Sequence, residues 1–295
     1  MKTLRILLTF STALHLLGWC STVFAETGSA LSLSVGYHNN IPNAVSEPDI
    51  FGDSFTDINY RLDRFFVASP GNRLSVGTTL RARQYRHSQG LESISAGLAM
   101  AYSHRAGLGA YAPRFNISFE LARYEFSEAI RDAWLASLDM NMSKRISPEW
   151  LLTLGLLFED RDAKTRSELQ FRPDFTAGVF DQKSATVSGR LDYTLPNYSL
   201  LSFGYRFRDG DIDASSRPGS PLLRVAKAIA RDTGLGRNYV AYLIEARSHS
   251  FSVDWAVAVT DNSSIGIGYQ RSTADAGRGI EYDHNNVRAE YTLRF

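Results

Sequence analysis

The chain has 295 residues, 44% of them hydrophobic, with 32 Lys and Arg against 31 Asp and Glu and a formal net charge of +1. Nothing in so even a balance suggests a nucleic-acid partner, and a lone cysteine, Cys20, excludes a disulfide framework. Aromatics reach 12%, with 14 Tyr and 17 Phe, a surplus that suits strands better than helices.

Lys2 and Arg5 form a charged n-region, Leu7 to Trp19 a short apolar stretch, and Val23-Phe24-Ala25 a small-residue cleavage site. The stretch falls short of the ~20 apolar residues that a spanning helix needs. Residues 1–25 are therefore expected to be a signal peptide for Sec export, leaving Glu26 as the mature N-terminus. Trp19 in front of Cys20 argues against lipidation. Cleavage removes the only thiol, and cysteine ligands with it.

Beyond Glu26 the period is two. After weaker runs at Leu33 to Tyr37 and Ile58 to Phe66, Leu74, Val76, Thr78, Leu80 and Ala82 alternate with Arg73, Ser75, Gly77, Thr79, Arg81 and Arg83. Ile94, Ala96, Leu98, Met100 and Tyr102 repeat the pattern against mostly small residues. Successive side chains of a strand point to opposite faces, so each run has one apolar face and one small or polar face. Further apolar rows are Phe115 to Leu121, Trp134 to Met142, Leu152 to Phe158, Ala185 to Tyr193, Leu201 to Phe207, Phe251 to Val259 and Ile265 to Tyr269. In the last run Val287, Ala289, Tyr291, Leu293 and Phe295 alternate with Asn286, Arg288, Glu290, Thr292 and Arg294 to the final residue.

The runs amount to about twelve strands, an even number as bacterial single-chain barrels require. Every second connection is turn chemistry: Ser69-Pro70-Gly71-Asn72, Arg105 to Tyr111, Ser147-Pro148-Glu149, Pro196-Asn197 and Asp261-Asn262-Ser263. The other set includes three long stretches, His38 to Phe55, Asp160 to Gln182 and Asp209 to Asn238. The fold expected for 26–295 is all-β: an antiparallel up-and-down transmembrane barrel, apolar face outward and polar face inward. Tyr37, Tyr60, Trp134, Trp150, Tyr198 and Trp255 are placed as interfacial girdles would be. A soluble sandwich would not set charges opposite its apolar rows. A first strand starting so near Glu26 leaves no room for a plug domain, periplasmic repeats or a secreted passenger.

A closing strand that alternates and ends in Phe295 resembles the terminal signal of bacterial outer-membrane barrels, and 26–295 is similar in architecture to small porin-like barrels of Gram-negative bacteria. The resemblance implies the outer membrane as the location, outer-membrane lipid and lipopolysaccharide as neighbours, and recognition by the barrel-assembly machinery through that strand.

Alternation assigns Arg61, Arg81, Arg83, Arg114, Arg190, Arg206, Arg208, Arg288 and Arg294 to the lumen, with Asp63, Glu120, Asp139, Glu159, Asp192, Asp254 and Glu290. Two readings compete. Arginines lining a constriction select anions, with Arg81–Arg83 and Arg206–Arg208 as ladders. Alternatively the arginines pair with the acids in a plugged interior. Pro221 to Arg231 carries Leu222, Val225, Ala226 and Ile229 at helical spacing and predicts a short amphipathic loop helix. The histidines outside the signal, His38, His87, His104, His249 and His284, make no recognisable catalytic set. Asp209, Asp211 and Asp213 in a solvated loop are no better as a metal site. The expected function is a passive channel for small, anionic solutes, with no cofactor and no catalytic residue. A plugged structural or surface-accessory barrel is the alternative, and an outer-membrane hydrolase a third.

Overall fold

A computed structural model describes residues 25–164 and 169–295. Residues 1–24, on which all but the last position of the expected signal peptide falls, lie outside the described residues.

The alternating runs form long antiparallel strands, each next to its neighbour in sequence: β1 (Ala25–His38), β2 (Asp53–Ser69), β3 (Asn72–Tyr85), β4 (Ser93–Arg105), β5 (Arg114–Phe126), β6 (Ala133–Arg145), β7 (Trp150–Ala163), β8 (Gln182–Thr194) and β9 (Leu200–Ser216). A short β10 (Ala226–Arg231) precedes β11 (Val240–Thr260), β12 (Ser263–Asp275) and β13 (Glu281–Arg294). β9 pairs directly with β11, and β13 returns to β1 from Ala30↔Arg294 to His38↔Asn286. Closure leaves twelve strands in the wall, β10 standing apart, and no free edge.

The registers fix which face is which, because a strand has a side-chain period of two. Leu33, Leu98, Ile117, Leu156, Val253 and Ile267 are exposed on the outer face, as a wall facing lipid requires. Trp150 and Tyr193 pack together at one rim, ring centroids 4.5 Å apart, while Tyr60 falls at mid-strand of β2 rather than at an end. Most turns at the rim that holds Phe295 are tight, including Pro70-Gly71 and Asp261-Asn262, with the connection 106–113 the longest there. The long connections all lie at the other rim.

There β9 and β11 outrun their neighbours. β8 pairs with β9 only as far as Gly210, and β12 with β11 only from Arg247. Beyond those points 210–216 and 240–246 stay paired with each other, and β10 adds to the other edge of β11. This three-stranded flap folds into the barrel mouth, with both faces buried. Ala214, Ile229, Val240, Tyr242 and Ile244 pack against Ala274, Ile280 and Tyr282 at the β12–β13 end. Ala228, Ala230, Ala241 and Leu243 pack against Ile130, Ala133, Ala163, Val179 and Phe180 on the other side. Gly210, where the flap leaves the wall, has φ 146°. A Cβ there would run into the Lys183 carbonyl and Ser184 of β8, so this crossing needs glycine.

The helix expected at 221–231 is absent. Pro221–Arg224 makes one 3-10 turn, Ser220 Oγ accepting from Leu222 N, and Ala226–Arg231 is β10. The edge of β11 offers backbone partners that override the helical spacing. Ala228-Ile229-Ala230, buried on both faces, is the uninterrupted small-apolar run of a covered strand.

Candidate functional site

Inside the wall the small and polar face encloses two neighbouring spaces. A chamber of about 770 Å³ lies beneath the flap, lined by β1, β2, β3, β5, β7 and β13 with Asn43, Arg131 and Asp213 from the roof. A second space of about 370 Å³ is lined by small residues, Gly155, Ser188, Gly204, Ser252 and Gly268, together with Arg190, Arg206 and Asp139. Asn286 and Arg288 of β13 border both.

The roof is tied down by charge. Arg131, buried in the connection after β5, donates from Nη1 to Asp213 at 2.8 Å and from Nη2 to Asp232 at 2.6 Å. Ser215 Oγ donates to Asp232 at 2.6 Å, and Gln182 Nε2 donates to Asp213 at 2.8 Å. Burial opposes the Arg131 charge, but Asp232 and Asp213 outweigh it and hold its pKa above the ordinary arginine range. Burial likewise pushes Asp213 up, and the Arg131 and Arg161 charges with the bonds from Gln182 and Arg131 bring it below the usual carboxylate value. Loop 39–52 is bound to the same flap: Arg217 Nε donates to Asp49 at 2.6 Å, and Asn43 Nδ2 to the Asp213 carbonyl at 3.0 Å.

Most arginines singled out by alternation meet an acid. Arg61 pairs with Asp63 at 2.6 Å, Arg81 with Glu120 at 3.1 Å, Arg190 with Asp192 at 2.6 Å and Arg288 with Asp254 at 3.1 Å. Arg83 takes Asp57 at 2.7 Å. Arg81 reaches Glu120 across β4, where Gly97 leaves the space: a Cβ there would sit 3.1 Å from Glu120 Oε1. Asp139 accepts from Asn141 at 2.7 Å and Glu290 from Thr292 at 3.0 Å. The β9 ladder differs. Arg206 reaches only Gln270 Oε1 at 3.4 Å, and Arg208 only the Asp211 carbonyl at 2.7 Å. Neither has a carboxylate partner among the described residues, nor does Arg114, exposed at the start of β5.

Asp57 and Arg161 belong to this inner set and were missed. Both were in phase with residues already chosen, Arg61 and Glu159. Arg131, Asp213 and Asp232 had no such signal, because they come from connections and the flap. In the run Asp209, Asp211 and Asp213, each acid holds a cation: Arg247, Lys227 and Arg131 respectively. The histidines are scattered. His249 meets Tyr205 on the outer face, His104 meets Asn72 at the tight-turn rim, and His87 meets Asp53. His38 and His284 meet at a tilt at the chamber wall, ring centroids 4.6 Å apart.

A closed antiparallel barrel with an apolar outer belt and a polar lumen is the architecture of transmembrane β-barrels. The chain is similar in fold to an outer-membrane channel of Pseudomonas putida F1, with a TM-score of 0.54 and 13% identity over 94% of this chain and 97% of that one. The β domain of the Bordetella autotransporter BrkA aligns at a TM-score of 0.45 and 11% identity, covering 92% of this chain and 100% of that one. The outer-membrane channel DcaP of Acinetobacter baumannii aligns at 0.44 and 8%, covering 92% and 97%. No protein-family model matches the chain, and no curated protein does.

Proposed function

We propose that the protein is a passive outer-membrane channel for small solutes with a preference for anions. Residues 1–25 act as its cleaved export signal, and β13, ending at Phe295, as its assembly signal. The observation that supports the preference is the β9 ladder: Arg206 and Arg208 carry inward charge with no carboxylate beside them, whereas Arg81 and Arg83 are neutralised in place. Uncompensated cations in a narrow lumen favour anions. The solute moves down its gradient, and the channel performs no catalytic step.

The test is single-channel conductance of the refolded mature protein in a planar bilayer, with the reversal potential under a salt gradient. Stable steps and a reversal potential of anionic sign are expected. Silence from folded protein would sink the channel reading. The flap favours a second reading, a barrel closed at its mouth with a structural role, and for that barrel silence is the expected outcome.

A further inference from the structure

The chamber beneath the flap is amphipathic, and one of its arginines has no carboxylate in contact among the described residues. Phe55, Tyr85, Tyr124 and Phe126 give it an aromatic wall, while Ser32 and Asn286 supply hydroxyl and amide groups elsewhere on the lining. Four of its arginines are satisfied: Arg81 by Glu120, Arg83 by Asp57, Arg288 by Asp254, and Arg131 by Asp213 and Asp232. Arg161, on β7, is not. It donates from Nη2 to the Arg131 carbonyl at 2.9 Å and lies over the Phe126 ring at 5.4 Å. Among the described residues no carboxylate is in contact with it, and Asp213, already bound to Arg131, acts on it only at longer range. A partly buried guanidinium with no carboxylate in contact is costly, and the cost falls when an anion arrives. The chamber, at about 770 Å³, has the size of a small-molecule site.

We infer that the chamber binds a hydroxylated organic carboxylate. The carboxylate sits on Arg161, with charge-assisted bonds of the strong kind. One flat apolar face lies along Phe126 and Tyr124, and the hydroxyls reach Ser32 and Asn286. The aromatic wall disfavours a bare inorganic anion, and a lining in which the other described arginines already hold acids disfavours a polyanion. This deepens the channel reading by naming the class of solute, but the binding itself needs no current through the pore.

Two sources share this chemistry, a sugar acid and a hydroxylated aromatic acid, so the test carries both. Isothermal titration calorimetry of the folded protein in detergent would use glucuronate and 4-hydroxybenzoate, with glucose and 4-hydroxybenzyl alcohol as uncharged counterparts. Saturable binding of either acid, weakened roughly tenfold or more in Arg161→Gln and unchanged in Arg114→Gln, supports the site, and whichever acid binds identifies the ring it takes. Heat-modifiable gel migration shows that each variant is folded, and Arg161→Lys, keeping the charge, is expected to recover part of the affinity. Binding of neither acid, equal binding of the uncharged counterparts, or indifference to Arg161→Gln would overturn it. If binding holds and conductance is silent, the channel reading fails and the site stands.

Discussion

At the scale of single residues, what matters is which charges are already answered. Arg81 and Arg206 look equivalent in the sequence, yet one lies against Glu120 and the other against an amide. A unit charge ~8 Å from a passing ion acts with about 0.5 kcal/mol in water, roughly a twofold effect. Because the same charge attracts the anion and repels the cation, Arg206→Gln is expected to lower the anion-to-cation permeability ratio about fourfold, with Arg81→Gln changing it far less. Equal effects in reversal-potential measurements would refute the distinction. At the roof, a carboxyl held below its usual value stabilises the seated flap fully above the unfolded pKa of ~3.9, and that contribution fades as pH falls through the lower folded value. Conductance is expected to stay constant from pH 7 to about 4 and to rise only in stronger acid. Arg131→Ala, which strands two acids at a cost of about 3–5 kcal/mol, should bring the rise to neutral pH.

The flap is the element that decides whether the chamber is roofed. Gly210→Val places a side chain against the β8 backbone in a conformation that only glycine tolerates. The variant should assemble as a barrel but show larger conductance steps, and unchanged steps would mean that the flap does not obstruct the lumen. The wall strands were legible in the sequence because one face meets lipid and the other polar space, which imposes a period of two on runs such as 74–83. The flap escaped because both its faces are covered, and Ala228-Ile229-Ala230 carries no period. Its apolar residues mimicked a helix. Partnerships were also hidden: Arg81 and Glu120 are 39 residues apart and meet across an intervening strand, which no local pattern records. Parity groups arginines by face, but it cannot say which of them an acid neutralises.

For the whole molecule, the near-balance of 32 basic and 31 acidic residues means that selectivity comes from arrangement and not from net charge. It should be sensitive to screening. The Debye length is ~10 Å at 0.1 M salt and ~3 Å at 1 M, so the anion preference is expected to shrink toward unity in concentrated salt. A preference that persisted there would point to a tighter, size-based filter. The flap's two contact surfaces have a mechanical consequence. One meets the β12–β13 end and the other the β6–β7 end, walls five places apart in a ring of twelve. The inserted ribbon is thus a cross-brace spanning the mouth close to its diameter, and it resists flattening of the ring into an ellipse. Flattening would bring opposite walls together or apart, and either motion must break an apolar seam. A bilayer that presses unevenly on the belt is therefore opposed at the mouth first, while the unbraced rim beside Phe295 is left free to flex.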